Sequence, residues 1–247
     1  FHVLNKVLLT PGTMAEVIRK NPKDSLFSAM LERFSLPNFD ATLNSDFKGA
    51  TGSVADTAVY QKLYVAQRGQ KGAIAVDIHN KALGADVSRL SFDPGWNAYN
   101  VDNTTKEQDM GVMFVPNNDA MVQYFCHGAG ASLIESYGDK DNTEKNLLHN
   151  LYQIPQNIIV KMLNNLMKES FNATVPSKYR SIMNSAQDQM FSTYATEEAY
   201  KAAMDTVMLA SNGVVYAMKD MITPPDYASV SGPVLFNDST RVMNTAI

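Results

Sequence analysis

An Asn-Gly pair followed by an apolar run constrains the fold of this chain more than any other feature. Asn212-Gly213 supplies the positive backbone φ of a tight turn at low steric cost, and residues 214–222 after it are mostly apolar. Such a run predicts a strand that is buried on both faces of a sheet. Pro224-Pro225 ends the strand, because proline cannot donate a ladder hydrogen bond. Residues 214–222 are therefore predicted to form a central strand.

The first residues of the chain have the same character. Residues 1–11 contain an apolar strand, a polar step, further apolar residues and a proline. When the two segments are aligned without gaps, His2 falls on Tyr216 and Pro11 falls on Pro225. Self-similarity of this kind is typical of proteins that are built from tandem units.

The order Asn-Gly, apolar residues, Tyr216, apolar residues and proline resembles the closing strand of a fasciclin (FAS1) domain. Residues 111–121 are similar to the first conserved FAS1 motif, in which an apolar strand ends in proline and a polar cap opens a helix. The resemblance covers most of residues 13–227. It implies an α+β fold: a FAS1-like wedge-shaped β-sandwich of two small sheets flanked by several α-helices.

The resemblance also implies a division of the chain. Residues 1–12 are expected to be the closing strand of a preceding FAS1-like unit, and residues 13–228 a FAS1-like domain with a long insertion at about 44–110. Residues 229–247 are expected to form a connector and the start of a following unit. The change of composition after Tyr227, with Gly232-Pro233, is typical of a connector.

Clear helical patterns occur outside the insertion. Thr13-Met14-Ala15-Glu16 has the form of a capping box, in which Glu16 reaches back to the Thr13 amide. Apolar residues recur at helical spacing from Leu26 until Leu36-Pro37. The most regular amphipathic helix follows Pro155, and its apolar residues are Ile158, Ile159, Met162, Leu163, Leu166 and Met167.

The insertion has weaker signals. Residues 44–54 are rich in Gly, Ser and Thr and predict a loop, whereas residues 54–67 predict a helix. Ile74, Val76 and Ile78 alternate with other residues, which predicts a strand with one buried face.

Composition excludes several classes of function. The net charge is −4 and no basic block occurs, so the chain lacks the footprint that nucleic acid requires. The apolar runs are shorter than the ~18–20 residues of a membrane span, and we expect no membrane insertion in this segment. One cysteine, Cys126, excludes an internal disulfide framework and a cysteine-rich zinc site.

No catalytic or metal motif is assembled in the sequence. Four scattered histidines form no zinc-binding pair. Ser45 and Lys48 match the Ser-x-x-Lys spacing of acyl-serine enzymes, but the partner Lys-Thr-Gly motif is missing. The acidic cluster at 139–144 lacks the glycine and the bidentate glutamate of an EF-hand loop. We therefore expect no enzyme activity, no cofactor and no metal.

The fasciclin resemblance implies a non-catalytic module for adhesion or for matrix and protein interaction, within a tandem cell-surface protein. The expected setting is extracellular, cell-surface or periplasmic, with any signal or lipoprotein anchor outside this segment. The expected partner is a protein or a glycan at the cell surface. Two alternatives remain open: a carbohydrate- or small-ligand-binding protein, and a serine hydrolase that uses Ser45 and Lys48.

A recognition module binds through a few exposed anchors that are ringed by polar groups. The sequence offers two candidate surfaces, one in the insertion and one at the polar cap that follows Pro116. For Trp96, the only tryptophan, core packing is the alternative to a binding role. The candidate partner-binding residues are Tyr64, Trp96, Tyr99, Asn117, Asn118 and Asp119.

Overall fold

The computed structural model describes residues 12–52, 58–68, 76–77, 79, 81–96, 110–172, 174–184 and 187–223, and the statements below concern these residues. The predicted strand at 1–11 and the predicted connector at 229–247 lie outside them.

The described chain is a mixed α and β structure. Its helices are α1 (Met14–Lys20), α2 (Ser25–Glu32), α3 (Ala41–Thr51), α4 (Asn118–Val122), α5 (Ala131–Tyr137), α6 (Glu144–Gln153), α7 (Gln156–Asn165) and α8 (Glu197–Ala202). Its strands are β1 (Ser35–Phe39), β2 (Tyr60–Tyr64), β3 (Gly111–Pro116), β4 (Met167–Lys168), β5 (Met204–Ala210) and β6 (Gly213–Met218). A π-helical turn (Gln123–His127) follows α4, and 3-10 helices lie at Pro22–Asp24 and Pro176–Ser181.

These strands form two small sheets, which confirms the coarse α+β prediction. The larger sheet has the order β4-β3-β6-β5, and the smaller one is the antiparallel pair β1-β2. β6 pairs in parallel with β3 and antiparallel with β5, and every residue of β6 is buried. The prediction of a central strand after Asn-Gly is therefore confirmed, although β6 ends four residues before Ile222.

The backbone conformation predicted for Asn212-Gly213 is wrong. Neither residue has a positive φ, and Gly213 is already the first residue of β6. A Cβ atom at Gly213 would lie 2.2 Å from the Gly111 carbonyl oxygen and 2.7 Å from the Met14 sulfur. Glycine is thus required at position 213 because β3 and α1 approach its backbone closely. It is not required there by the positive φ of a tight turn.

Asn212 fixes the β5–β6 turn through its side chain. Its Oδ1 accepts from the Met14 amide at 2.8 Å, and its Nδ2 donates to the carbonyls of Pro94 (3.1 Å) and Trp96 (2.8 Å). One buried side-chain amide therefore ties together α1, residues 94–96 and the β5–β6 hairpin.

The two faces of the larger sheet are covered differently. On one face, Phe114 of β3 stacks on Tyr216 of β6 with ring centroids 5.4 Å apart, and Phe191 packs edge-on against Phe114 at 4.9 Å. Tyr200 of α8 continues this aromatic layer at 4.7 Å from Phe191. Successive residues of a strand face opposite sides of a sheet, so Gly213 faces away from the aromatic layer at Tyr216. Met14 of α1 is next to Gly213, and α1 therefore lies on the opposite face.

The helix predictions outside the insertion hold in large part. The Thr13 amide donates to the Glu16 carboxylate at 3.2 Å, as the capping box predicts, and α7 occupies the most regular amphipathic segment after Pro155. The apolar repeat from Leu26 forms α2, but α2 ends at Glu32, and Pro37 lies within β1.

Within residues 44–110, two secondary-structure predictions are wrong. Helix α3 occupies most of the predicted loop at 44–54, and β2 lies inside the predicted helix at 54–67. Val76 forms an isolated antiparallel bridge with Ala82, whereas Ile74 and Ile78 lie outside the described residues.

Candidate interaction site

Helix α3 is held at both ends by residues of its own segment. The Asp40 carboxylate accepts from the amides of Thr42 and Leu43, each at 2.9 Å, which is a helix N-cap. Gly52 ends the helix with a φ of 62°, in the left-handed region that glycine adopts without steric cost. These two caps were the sequence signal for α3, and the loop interpretation missed them.

No residue of α3 is buried, although the structure describes this helix in full. Leu43 and Phe47 lie one turn apart on the same side of α3 and are 43% and 45% exposed. Tyr60, on β2, is 46% exposed. We call Leu43, Phe47 and Tyr60 the α3 surface.

The strand pair β1-β2 supports the α3 surface. α3 contacts β2, and the Val59 amide just before β2 donates to the Asn44 side chain on α3 at 3.1 Å. Tyr60 packs edge-on against Phe39 of β1, with ring centroids 6.0 Å apart. The aromatic ring of the α3 surface is therefore positioned by its partner strand.

An ionic cluster joins β2 to α2. The Glu32 carboxylate accepts from the Lys62 ammonium, from the Tyr64 hydroxyl at 2.9 Å and from the Ser35 hydroxyl at 3.2 Å. Burial acts to raise the pKa of Glu32, but these hydrogen bonds and the charge of Lys62 outweigh it and lower that pKa. Glu32 thus stays charged and fixes the strand pair to the helical layer.

Tyr64 lies inside this cluster. The residue is buried, its hydroxyl is bonded to Glu32, and its amide donates to Asp93 at 3.4 Å. Burial raises the pKa of Tyr64, and the neighbouring Glu32 charge adds to that effect. In this conformation Tyr64 therefore offers no aromatic face to a partner.

Trp96 is half-buried and lies beside the buried carboxylate of Asp93. Burial raises the pKa of Asp93 to about 6, although the amides of Gly95, Tyr64 and Trp96 act against it. The indole Nε1 is buried and has no hydrogen-bond partner among the described residues. Trp96 as a residue is neither fully buried nor fully exposed, and Tyr99 lies outside the described residues.

The polar cap at 117–119 has mainly structural contacts. Asn117 is buried and caps α4 by accepting from the Ala120 amide at 2.9 Å. Asn118 accepts from the Leu26 amide at 3.0 Å and donates to the Pro22 carbonyl and the Ser25 hydroxyl. Asp119 alone of these three residues is exposed.

The structure places the predicted site residues in separate environments. Tyr64 and Trp96 lie near Asp93, while Asn117, Asn118 and Asp119 lie at the start of α4 beside α2. Sequence reasoning missed Leu43, Phe47 and Tyr60 as a surface, because it assigned no helix to residues 41–51.

The structure describes several of the groups that were considered for chemistry. Ser45 and Lys48 lie on α3, where Ser45 is exposed. In the acidic loop, Asp139 pairs with His149 at 3.1 Å, and the described residues contain no group of three potential metal ligands. Burial raises the pKa of the free thiol of Cys126.

Comparison of this chain with protein-family models, with curated proteins and with solved structures found no match. Among the helices of the described ranges, none has both the length and the apolar character that crossing a membrane requires.

Proposed function

We propose that this chain is a non-catalytic, fasciclin-like cell-surface module that binds another protein through the α3 surface. The observation that carries the proposal is that α3 has no buried residue although it presents Leu43 and Phe47 at one-turn spacing. The buried strand after Asn212 and the two small sheets support the fasciclin proposal. That proposal includes a wedge-shaped sandwich and an extracellular or periplasmic setting.

A helix such as α3 gains little stability from its own chain. Isolated helices shorter than ~12–15 residues are marginal in water, and a surface helix normally packs an apolar stripe against a core. α3 has eleven residues, and its capped ends preserve its conformation. A partner that covered the apolar side of α3 would supply the packing that the described chain does not provide.

The energy available from this surface suits a protein partner. Covering a large apolar side chain that is about half exposed contributes roughly 1 kcal/mol, from the usual 1.5–3 kcal/mol for complete burial. Leu43, Phe47 and Tyr60 together would contribute about 3 kcal/mol, and Tyr is a frequent interface anchor. Glycan recognition depends more on stacking and polar contacts, and the aliphatic Leu43 offers neither.

Binding to a panel of purified extracellular-matrix proteins and to a glycan array tests the proposal. We expect the chain to retain at least one protein, and we expect Leu43→Ala with Phe47→Ala to weaken that binding at least about tenfold. The matched control is Leu148→Ala with Tyr152→Ala, an exposed pair at the same spacing on α6, 42% and 51% exposed.

The control pair should leave the affinity unchanged. Both double variants alter exposed side chains, so their unfolding free energies should remain within about 0.5–1 kcal/mol of the parent chain. Retention of glycans alone, or protein binding that the α3 variants do not weaken, would refute the proposal.

A further inference from the structure

Strand β5 is an edge strand of the larger sheet as the structure describes it. In the part of the chain that the structure describes, β5 pairs with β6 alone. Val207 and Leu209 on β5 are 55% and 68% exposed, which makes Leu209 the most exposed large apolar residue described. An exposed edge strand with apolar side chains is a template for pairing with a further strand.

The direction of the backbone N–H and C=O groups of β5 determines which of its residues can pair with a further strand. Ala210 pairs with Gly213 across the two-residue turn Ser211-Asn212. Such a turn is closed by a hydrogen-bonded pair, so alternate residues from Ala210 onwards direct their N–H and C=O groups toward β6. Val207 and Leu209 direct theirs outwards, so the backbone groups that no described strand pairs and the exposed apolar side chains belong to the same two residues.

The regular part of β5 is symmetric about Met208. Residues 206–210 pair in unbroken register with β6, and an irregularity between Met204 and Thr206 ends the regular stretch. If a second, antiparallel copy of β5 is centred on Met208, Val207 of each copy lies opposite Leu209 of the other. Residues directly opposite each other share a sheet face, so the four exposed apolar side chains would cover one another.

We propose that β5 pairs with β5 of a second copy of this chain about a two-fold axis at Met208, joining two four-stranded sheets into one. The two Val207–Leu209 pairs exchange four backbone hydrogen bonds across the axis. This contact is separate from the α3 surface and does not depend on the function proposed for it.

The arrangement keeps the charges at the edge apart. Lys23 and Asp205 form an ion pair of 2.9 Å at the start of β5. In the antiparallel pair, the start of β5 in one copy lies beside the end of β5 in the other copy, next to the Ser211-Asn212 turn. The two Asp205 residues are therefore about 20 Å apart along the strands. Met208 faces the Asn21 side chain at 3.9 Å, so its contact with the helical layer is retained.

The contact is small, so the dimer should be weak. Five residues from each copy cover much less than the ~800 Å² per partner of a stable complex, and we expect a dissociation constant of about 0.1 mM. Sedimentation velocity of the 247-residue chain between about 0.01 and 1 mM should show a monomer that converts to a dimer.

Charge substitution on β5 should abolish this association. Val207→Lys with Leu209→Lys places like charges opposite each other and should raise the dissociation constant at least about tenfold. The matched control, Leu43→Lys with Phe47→Lys, also replaces two exposed apolar residues by lysine, but on α3, and should leave association unchanged. A chain that is monomeric at every concentration, or one that only the α3 variants dissociate, would overturn the proposal.

A disulfide scan tests the register directly. Opposite residues without mutual hydrogen bonds have Cα atoms about 4.5 Å apart, which is within disulfide range. In a Cys126→Ser background, Met208→Cys should therefore form a covalent dimer under mild oxidation. Thr206→Cys is the matched control, because the two Thr206 positions are about 13 Å apart along the strands. Cross-linking by Thr206→Cys that equals or exceeds that by Met208→Cys would overturn the proposed register.

Discussion

Replacing Gly213 by alanine tests the packing of the central strand. The added Cβ would lie 2.2 Å from the Gly111 carbonyl oxygen and 2.7 Å from the Met14 sulfur, whereas real Cβ contacts essentially never fall below 3.0 Å. Met14 is the flexible partner, but the Gly111 oxygen belongs to the backbone of β3, which would have to move by almost 1 Å.

The expected cost of Gly213→Ala follows from these distances. Overpacking a core site costs about 1–3 kcal/mol. Moving the start of β3 away from β6 also weakens a backbone hydrogen bond, which contributes about 1 kcal/mol. We therefore expect the free energy of unfolding to fall by about 3 kcal/mol. The effect should be local to the start of β6, because Gly111 and Gly213 are the first paired residues of the two strands.

Gly49→Ala is the matched control. Gly49 lies within α3, and a Cβ there would meet no atom within 4 Å. Alanine is the better helix former by about 0.5–1 kcal/mol, so this variant should be slightly more stable than the parent chain. Urea unfolding followed by the fluorescence of Trp96, the only tryptophan, measures both changes. If Gly213→Ala stays within about 0.5 kcal/mol of the parent, the close approach of β3 to β6 is refuted.

Two further predictions concern buried polar groups. Asn212→Ala removes three hydrogen bonds and leaves the Met14 amide without a partner, so it should cost about 2–4 kcal/mol in urea unfolding; a loss below about 1 kcal/mol would contradict this role. Burial raises the pKa of Asp24 to about 6, above its unfolded value of about 3.9, so stability present at pH 4 is lost as the pH rises through 6. Asp24→Asn should reduce that loss by about 2 kcal/mol between pH 4.5 and 7.5 in urea unfolding, and an unchanged pH dependence would contradict it.

The sequence predicted the elements whose burial pattern is local. β6 and β3 are apolar throughout because both faces of each strand are covered, and α7 carries a regular apolar stripe. Each of these patterns reflects the strand or helix period and needs no knowledge of distant residues. The cap at Asn117 was likewise predictable, because an N-cap acts on the amides of its own helix.

The errors arise where distant contacts decide the outcome. Gly213 is required by Gly111 and Met14, which are far away in sequence. The apolar residues of β2, taken alone, also fit a helix. The segment is a strand because it pairs with β1. Tyr64 was a reasonable surface candidate from its position in the insertion, but Glu32 and Asp93 hold it inside the fold.

The α3 surface was hidden from sequence reasoning for a different reason. An amphipathic helix is normally identified by the apolar stripe that packs on the core, and in the described part of the chain α3 has no buried residue. Only the caps at Asp40 and Gly52 mark the limits of this helix.

Hydrogen–deuterium exchange of the chain, alone and with a protein retained from the matrix panel, tests the binding surface most directly. Amides of α3 should exchange quickly in the free chain, because no residue of that helix is buried among the residues that the structure describes. On binding, the amides of residues 41–51 and of Tyr60 should become protected, while those of α6 around Leu148 should not change. Protection that leaves α3 unchanged and appears around Trp96 or elsewhere would contradict the proposed role of the α3 surface.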